Sequence, residues 1–275
     1  MPQFDLTHVR HDHYHCLAPG LFSTARNEAR KSGKLDVVYE FSGGNRIEFS
    51  GPESLGVTEL RVLQGLVAMA GPAETSLELP VESPSPLGMS LRSMLELKGY
   101  ASNQSAIAVK SSLRKLAYEI GLSNTRDTNT IRAAIERLWK VSVIAQINGR
   151  RAGFRLLANY SSNSRDGSLF VALNPFLTNA VLGNGRHVRI PMGEIRKIRD
   201  DRTRLVHQWL CAWVDSGKCR QVSLARVSSV LYPDPCGPET HRKRLTRSRK
   251  ALLELNEIGW QAREYAKQKF AVMRP

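Results

Sequence analysis

Two stretches of the chain run through the same order of apolar periodicities. In the first, Arg46-Ile47-Glu48-Phe49 reads as a strand. Residues 57–70 then carry Leu60, Leu63, Leu66, Val67 and Ala70 at helical spacing, the pattern of a helix with one buried face. Residues 91–97 and 106–110 read as short strands. Ser112 opens a second helix with Leu113, Leu116, Ala117 and Ile120 at i, i+3, i+4 and i+7, and Gly121 falls just past its end. A third helix over 128–140 repeats the spacing with Ile131, Ala134, Ile135 and Leu138. Val141, Val143, Ala145 and Ile147 then alternate up to Asn148-Gly149, and Phe154 and Leu156 alternate on the way back. An Asn-Gly pair between alternating runs predicts a tight hairpin, because both turn residues need positive φ.

The second stretch keeps this order. Residues 187–190 read as a strand, and 201–214 as a helix burying Leu205, Trp209 and Trp213. Ser223 caps a short helix with Leu224, Val227 and Leu231 inward. Pro238 suits the first position of a long helix reaching about 258. Residues 260–263 and 270–273 form a closing hairpin with Lys267, Gln268 and Lys269 near its tip. Helix, turn, helix, hairpin is the winged-helix order, and its recurrence predicts an α+β chain of two tandem winged-helix (helix-turn-helix) domains related by an internal repeat. The expected division is 1–183, with an N-terminal arm and a Pro/Ser/Glu-rich loop at 71–89, and 184–275. Residues 233–238, with three prolines and a glycine, read as a further loop.

Charge narrows the function. Forty Lys and Arg against 25 Asp and Glu give +15 and a pI near 10, which draws polyanions. No stretch is apolar enough to span a bilayer, residues 1–30 do not read as a signal peptide, and four scattered cysteines make no disulfide framework. The expected setting is a bacterial cytoplasm, in association with DNA and without a membrane partner.

A recognition helix buries one face and offers the other to the major groove. The helix after Pro238 sets Leu245, Ser248, Ala251, Leu252 and Leu255 on one side and Arg242, Lys243, Arg247, Arg249 and Lys250 on the other. Six basic residues lie between 242 and 250 with no acid among them, and such crowding favours a polyanion. The helix over 128–140 turns Asn129, Arg132, Ala133, Glu136 and Lys140 outward, a mixture suited to reading bases. Arg150, Arg151 and Arg155 on the hairpin beside it, with Lys267 and Lys269 on the other, are placed to meet phosphate or the minor groove.

Catalytic and metal patterns are weaker. His8, His11, His13, His15 and Cys16, or Cys211, Cys219 and Cys236 with His241, lack closed metal-ligand spacing, so no metal is expected, and Cys211 reads as core. His13-Tyr14-His15 matches the paired histidine of a DNA-nicking enzyme in composition, but its flanks suggest a loop. Neither Gly33-Lys34 nor Gly217-Lys218 has the remainder of a phosphate-binding loop. No cofactor or enzymatic activity is expected. A repressor built from the same modules stays open as an alternative, with the nicking enzyme a more distant one.

Longer segments carry a resemblance. Residues 6–22 (LTHVRHDHYHCLAPGLF), 34–56 (KLDVVYEFSGGNRIEFSGPESLG), 63–72 (LQGLVAMAGP), 135–144 (IERLWKVSVI), 153–157 (GFRLL) and 170–175 (FVALNP) are similar to RepC-type replication initiators of IncQ-like broad-host-range plasmids. The likeness runs essentially end to end and is least at the loop after Gly71 and at 123–130. It implies a protein that binds directly repeated sites, the iterons, in a plasmid origin, helps to open an adjacent A·T-rich stretch, and contributes to copy control. It also implies separate plasmid-encoded helicase and primase partners. Self-association stays open.

Overall fold

The computed structural model describes residues 5–24, 33–82, 105–122, 128–163 and 166–275, with a few positions between 86 and 103. The chain opens with β1 (His8–Asp12), α1 (His13–Leu17) and β2 (Phe22–Ser23), then β3 (Leu35–Phe41), β4 (Asn45–Gly51) and β5 (Leu55–Gly56). Next come α2 (Val57–Met69), β6 (Ser76–Leu79), β7 (Ala106–Ser112), α3 (Leu113–Glu119) and α4 (Thr128–Lys140). Four strands follow: β8 (Ser142–Ile147), β9 (Arg150–Arg155), β10 (Leu157–Ser162) and β11 (Ser168–Leu173). After α5 (Pro175–Leu182), β12 (His187–Pro191) and α6 (Met192–Lys197), the last part is α7 (Asp201–Trp213), β13 (Cys219–Ser223), α8 (Leu224–Leu231), α9 (Pro238–Glu254), β14 (Gln261–Ala266) and β15 (Lys269–Met273).

The periodic segments form where the patterning places them. The faces of α2, α3 and α4 named above are buried, and Ser112 and Ser223 cap α3 and α8 by accepting from the backbone N–H of Lys115 (3.1 Å) and Arg226 (3.2 Å). Asn148 and Gly149 both take positive φ at the β8–β9 turn. Strand β6 runs through the predicted loop at 71–89, because Leu79 is buried and Ser76–Leu79 pair with β7. Of the strand expected at 91–97, most lies outside the described residues, and positions 92 and 93 are helical.

Sheet pairing places the two stretches, the first and second repeats of the sequence pattern, in a common local arrangement. One sheet orders β10-β11-β7-β6, and the C-terminal sheet orders β13-β15-β14. Thus β7 and β13 each precede a Ser-capped helix, and each pairs antiparallel with the second strand of a later hairpin. Ser112 faces Ser168 and Ser223 faces Lys269. At both hairpin tips a positive-φ residue, Gly167 or Gln268, receives the first N–H of the capped helix: Leu113 N–H to Gly167 O at 3.1 Å, and Leu224 N–H to Gln268 O at 2.8 Å. The leading helices α2 and α7 touch through the buried amide pair Gln64–Gln208 (2.8 Å), each residue eighth in its helix.

The hairpin β8–β9 is not the counterpart of β14–β15. It belongs to a separate sheet, β3-β4-β8-β9, with Arg46–Ser50 of β4 against Ser142–Gln146. The equivalent hairpin is β10–β11, which the sequence patterning does not mark.

The N-terminal arm is built into the body. Strand β1 pairs with β12, His8 opposite Pro191 and Asp12 opposite His187. Buried Glu119, at the end of α3, accepts the backbone N–H groups of Asp5 (3.1 Å) and Leu6 (3.3 Å) and a 2.7 Å bond from Arg196 of α6. Arg196 also donates to Leu6 O at 2.9 Å, so arm, first repeat and second repeat meet at one ion pair.

Candidate nucleic-acid interface

In the second repeat α9 lies across α7 and α8 with Ser248, Ala251 and Leu252 buried and Leu245 half-buried. Its outer side presents Arg242, Lys243, Arg247 and Lys250, all exposed. The six cations do not face one another unrelieved, as the sequence suggested. Acids from outside the run meet three of them: Glu239 meets Lys243 (2.6 Å), Glu254 meets Lys250 (3.6 Å) and Glu264 meets Arg249 (2.9 Å). Arg244 lies over Tyr232 and donates to Asp234 O. Arg249, predicted to face outward to DNA, is instead half-buried as a brace. Its partner Glu264 on β14 also accepts the Gln268 backbone N–H at the hairpin tip (2.8 Å), tying helix to hairpin. Arg242 and Arg247 are left to face solvent, and Lys267 and Lys269 are exposed at the tip of the β14–β15 hairpin.

In the first repeat α4 buries Ile131, Ala134, Ile135 and Leu138. Asn129 and Lys140 are exposed, while Arg132, Ala133 and Glu136 are half-buried on its outer flank. Arg132 donates to Asn129 Oδ1 at 3.0 Å, which holds an arginine and an amide side by side. Burial, and then the charge of Glu136, raise the Tyr160 phenol pKa, so Glu136 faces β10. Trp139 packs edge-on to Tyr160 of that strand, with centroids 5.7 Å apart, as a second helix-to-hairpin brace. The chain leading into α4, 123–127, and the β10–β11 tip at 164–165 lie outside the described residues.

The predicted hairpin arginines divide. Arg155 stacks over Trp139 at 4.6 Å and donates to its carbonyl oxygen (3.3 Å), so it supports α4 from behind. Arg151 pairs with Glu48 at 3.4 Å, and Arg150 is exposed at the turn. Because β8–β9 joins the β3–β4 sheet, these two arginines do not occupy the place that Lys267 and Lys269 hold in the second repeat.

The N-terminal histidines are a strand and a helix, not the expected loop. His11 and His15 are buried, and His15 donates its backbone N–H to Asp12 Oδ1 (2.9 Å), with its ring Nδ1 at 2.5 Å from the same oxygen. Burial, with the neighbouring His15 charge, lowers the His11 pKa to about 4 against the pull of Asp12. His13 and His15, two apart on α1, point to different surroundings. His15 meets Phe49 and Phe176, while His13 lines a cleft with Arg186 and Asp215. A helix separates i and i+2 by about 200°, so this pair does not converge on one metal as it would on a strand. Tyr14 is stacked on Phe41 (4.2 Å).

Among the described residues no helix is long and apolar enough to cross a membrane. The structure is similar to that of domains 2 and 3 of RctB, with a TM-score of 0.56 at 14% identity over 92% of this chain and 94% of that one. A second RctB structure of the same domains gives 0.51 at 13% identity, covering 93% and 92%. The Pi initiator protein in complex with iteron DNA is more distant, at 0.37 and 12% identity over 78% and 89%. No curated protein sequence matches the chain. The RctB likeness shows the fold, a mixed arrangement of helices and sheets shared across nearly the whole length. The family model for replication protein C (RepC) matches residues 3–275, and the chain therefore belongs to the RepC family of replication proteins.

Proposed function

We propose that this protein is a plasmid replication initiator that grips duplex iterons through two tandem winged-helix units and promotes opening of the neighbouring A·T-rich DNA for helicase loading, without catalysing a reaction. The observation that carries this reading is the repeated register at the hairpin tips: Leu113 to Gly167 in one unit, Leu224 to Gln268 in the other, each below a third helix with a polar or cationic outer face. A helix and wing fixed to one strand in this way suit a groove and its flanking phosphates together. Membership of the RepC family supports origin DNA as the target. The divergent settings of His13 and His15 favour this reading over the nicking alternative.

With both third helices in the major groove on one side of the duplex, their centres lie about one helical turn apart, roughly 34–36 Å, and one chain covers about two turns. Footprinting on a plasmid origin with direct repeats tests this. Protection of each repeat over about two turns, at salt that removes binding to unrelated DNA, is the expected result. Protection of a single turn, or none, would overturn it. Permanganate reactivity of thymines in the A·T-rich stretch separates an initiator from a repressor, since only the former exposes unpaired bases.

A further inference from the structure

We infer that Glu194, His207 and Cys211 form a binding site for a divalent cation of the zinc class. Glu194 Oε2 lies 2.6 Å from His207 Nε2, the Cys211 sulfur lies 3.6 Å from that nitrogen, and all three donor atoms fall within 4.8 Å of one another. His207 and Cys211 stand at i and i+4 on α7, so one helical face delivers both, and Glu194 comes from α6. One nitrogen, one sulfur and one carboxylate oxygen form a donor set suited to zinc, and three protein ligands leave a fourth position for water.

The separation of the helix-borne nitrogen and sulfur suits the ion. Zinc bonds of about 2.0–2.3 Å at tetrahedral angles put ligand atoms roughly 3.3–3.6 Å apart. The nitrogen–sulfur separation is already of that size. The nitrogen–oxygen contact has to open by roughly 0.7 Å as the shared hydrogen bond gives way to two metal bonds. The surroundings hold the donors in place. Trp260 Nε1 donates to Glu194 Oε2 at 2.9 Å, and Arg274 donates to the Cys211 carbonyl oxygen at 2.6 Å. A cleft of about 520 Å³ between the N-terminal arm and the second repeat includes Glu194 and Cys211 in its wall, giving the ion a route.

Charge also closes. Binding expels the proton shared by His207 and Glu194 and the thiol proton of Cys211. A neutral imidazole, a carboxylate and a thiolate around a doubly charged ion then sum to zero. An ion pair alone needs only Glu194 and His207, whereas the sulfur at the same nitrogen is what a metal uses. The inference stands apart from duplex binding.

Cobalt(II) tests it, because a thiolate ligand gives a charge-transfer band in the near ultraviolet. The full chain carrying Cys219→Ser and Cys236→Ser, which removes the two exposed thiols, is stripped with chelator and titrated with Co²⁺. One Co²⁺ per chain with a thiolate band, both displaced by Zn²⁺, is expected. Adding Cys211→Ser removes the band, and Glu194→Gln, which keeps an acceptor for Trp260, weakens Co²⁺ binding about tenfold or more. Absence of a thiolate band in the parent at stoichiometric Co²⁺ overturns the site whether or not the variants fold. A band undiminished in a folded Cys211→Ser chain, which places the thiolate at Cys16, overturns it as well.

Discussion

Removing Arg242 and Arg247 together is the sharpest test of the proposed duplex-binding face. Lys140, Arg242, Arg247, Lys250, Lys267 and Lys269 are the exposed cations on the two third helices and the second hairpin tip that lack a tight acidic partner. Lys243 is discounted because Glu239 holds it at 2.6 Å, and Arg249 because it braces Glu264. If each of the six neutralises one phosphate, the slope of log K against log salt is about −5, and affinity falls about 10³-fold between 50 and 200 mM. The double Ala variant leaves four, which flattens the slope to between about −3 and −4 and shrinks the loss to about 10²-fold. Fluorescence anisotropy with a labelled repeat across a salt series measures both. Arg249→Ala should keep the parent's slope while loosening the hairpin. An unchanged slope in the double variant, or an equal flattening in Arg249→Ala, would refute the assignment of α9 to the phosphate backbone.

Four further outcomes follow from the packing and charges. Arg132→Ala should relax base preference at one or two positions of a randomised site, costing about 1–3 kcal/mol on the preferred sequence and little elsewhere; a uniform loss would make Arg132 a phosphate contact. Gly65→Ala should destabilise the fold in urea, because the added Cβ lies 2.4 Å from Ile120 Cγ2 and 2.6 Å from Leu116 Cδ1, both in fully buried side chains. Overpacking of about 1–3 kcal/mol outweighs the gain of up to about 1 kcal/mol from removing a helical glycine. His11, with its folded pKa at about 4 and an unfolded value near 6.5, stabilises the fold fully above pH 6.5 and loses that contribution as pH falls towards 4, in total about 3 kcal/mol. Urea midpoints of His11→Phe should therefore depend less on pH across that window, and parallel profiles would contradict the assignment. Glu119→Ala strips Arg196 and two arm amides of their shared acceptor and should cost about 3–5 kcal/mol, with early protease cleavage of the arm as the second readout.

Much of the scaffold was legible because its signals are local. The bounds of α4, the caps at Ser112 and Ser223, Pro238 at the head of α9 and the Asn148-Gly149 turn each depend on a few adjacent residues. Partnership between strands is not local. Alternation marks β8 and β9 as a hairpin, yet nothing in it says that they join β4 rather than β7. The equivalent strands β10 and β11 escaped because Leu157–Ser162 carries little apolar alternation and β11 is nearly continuous in apolar residues. The arm misled for a related reason: in His8–Asp12 the buried groups include His11 and Asp12, polar types that pattern reasoning assigns to water. On the candidate interface, the bare count of cations on α9 overstated its free charge, since Glu239, Glu254 and Glu264 lie just beyond the basic run or across the fold. The His207 and Cys211 spacing was readable on α7, but Glu194 joins them only through the packing of α6.

The amide contact between Gln64 and Gln208 has a consequence for the shape of the target. It joins α2 and α7 at like positions, with both side chains buried. A buried amide pair resists sliding, because parting it leaves two polar groups unsatisfied. On the proposed reading, the gap between the two contacted turns of DNA is then set by the protein, and a repeat that gained or lost a few base pairs between them would be gripped by one unit only.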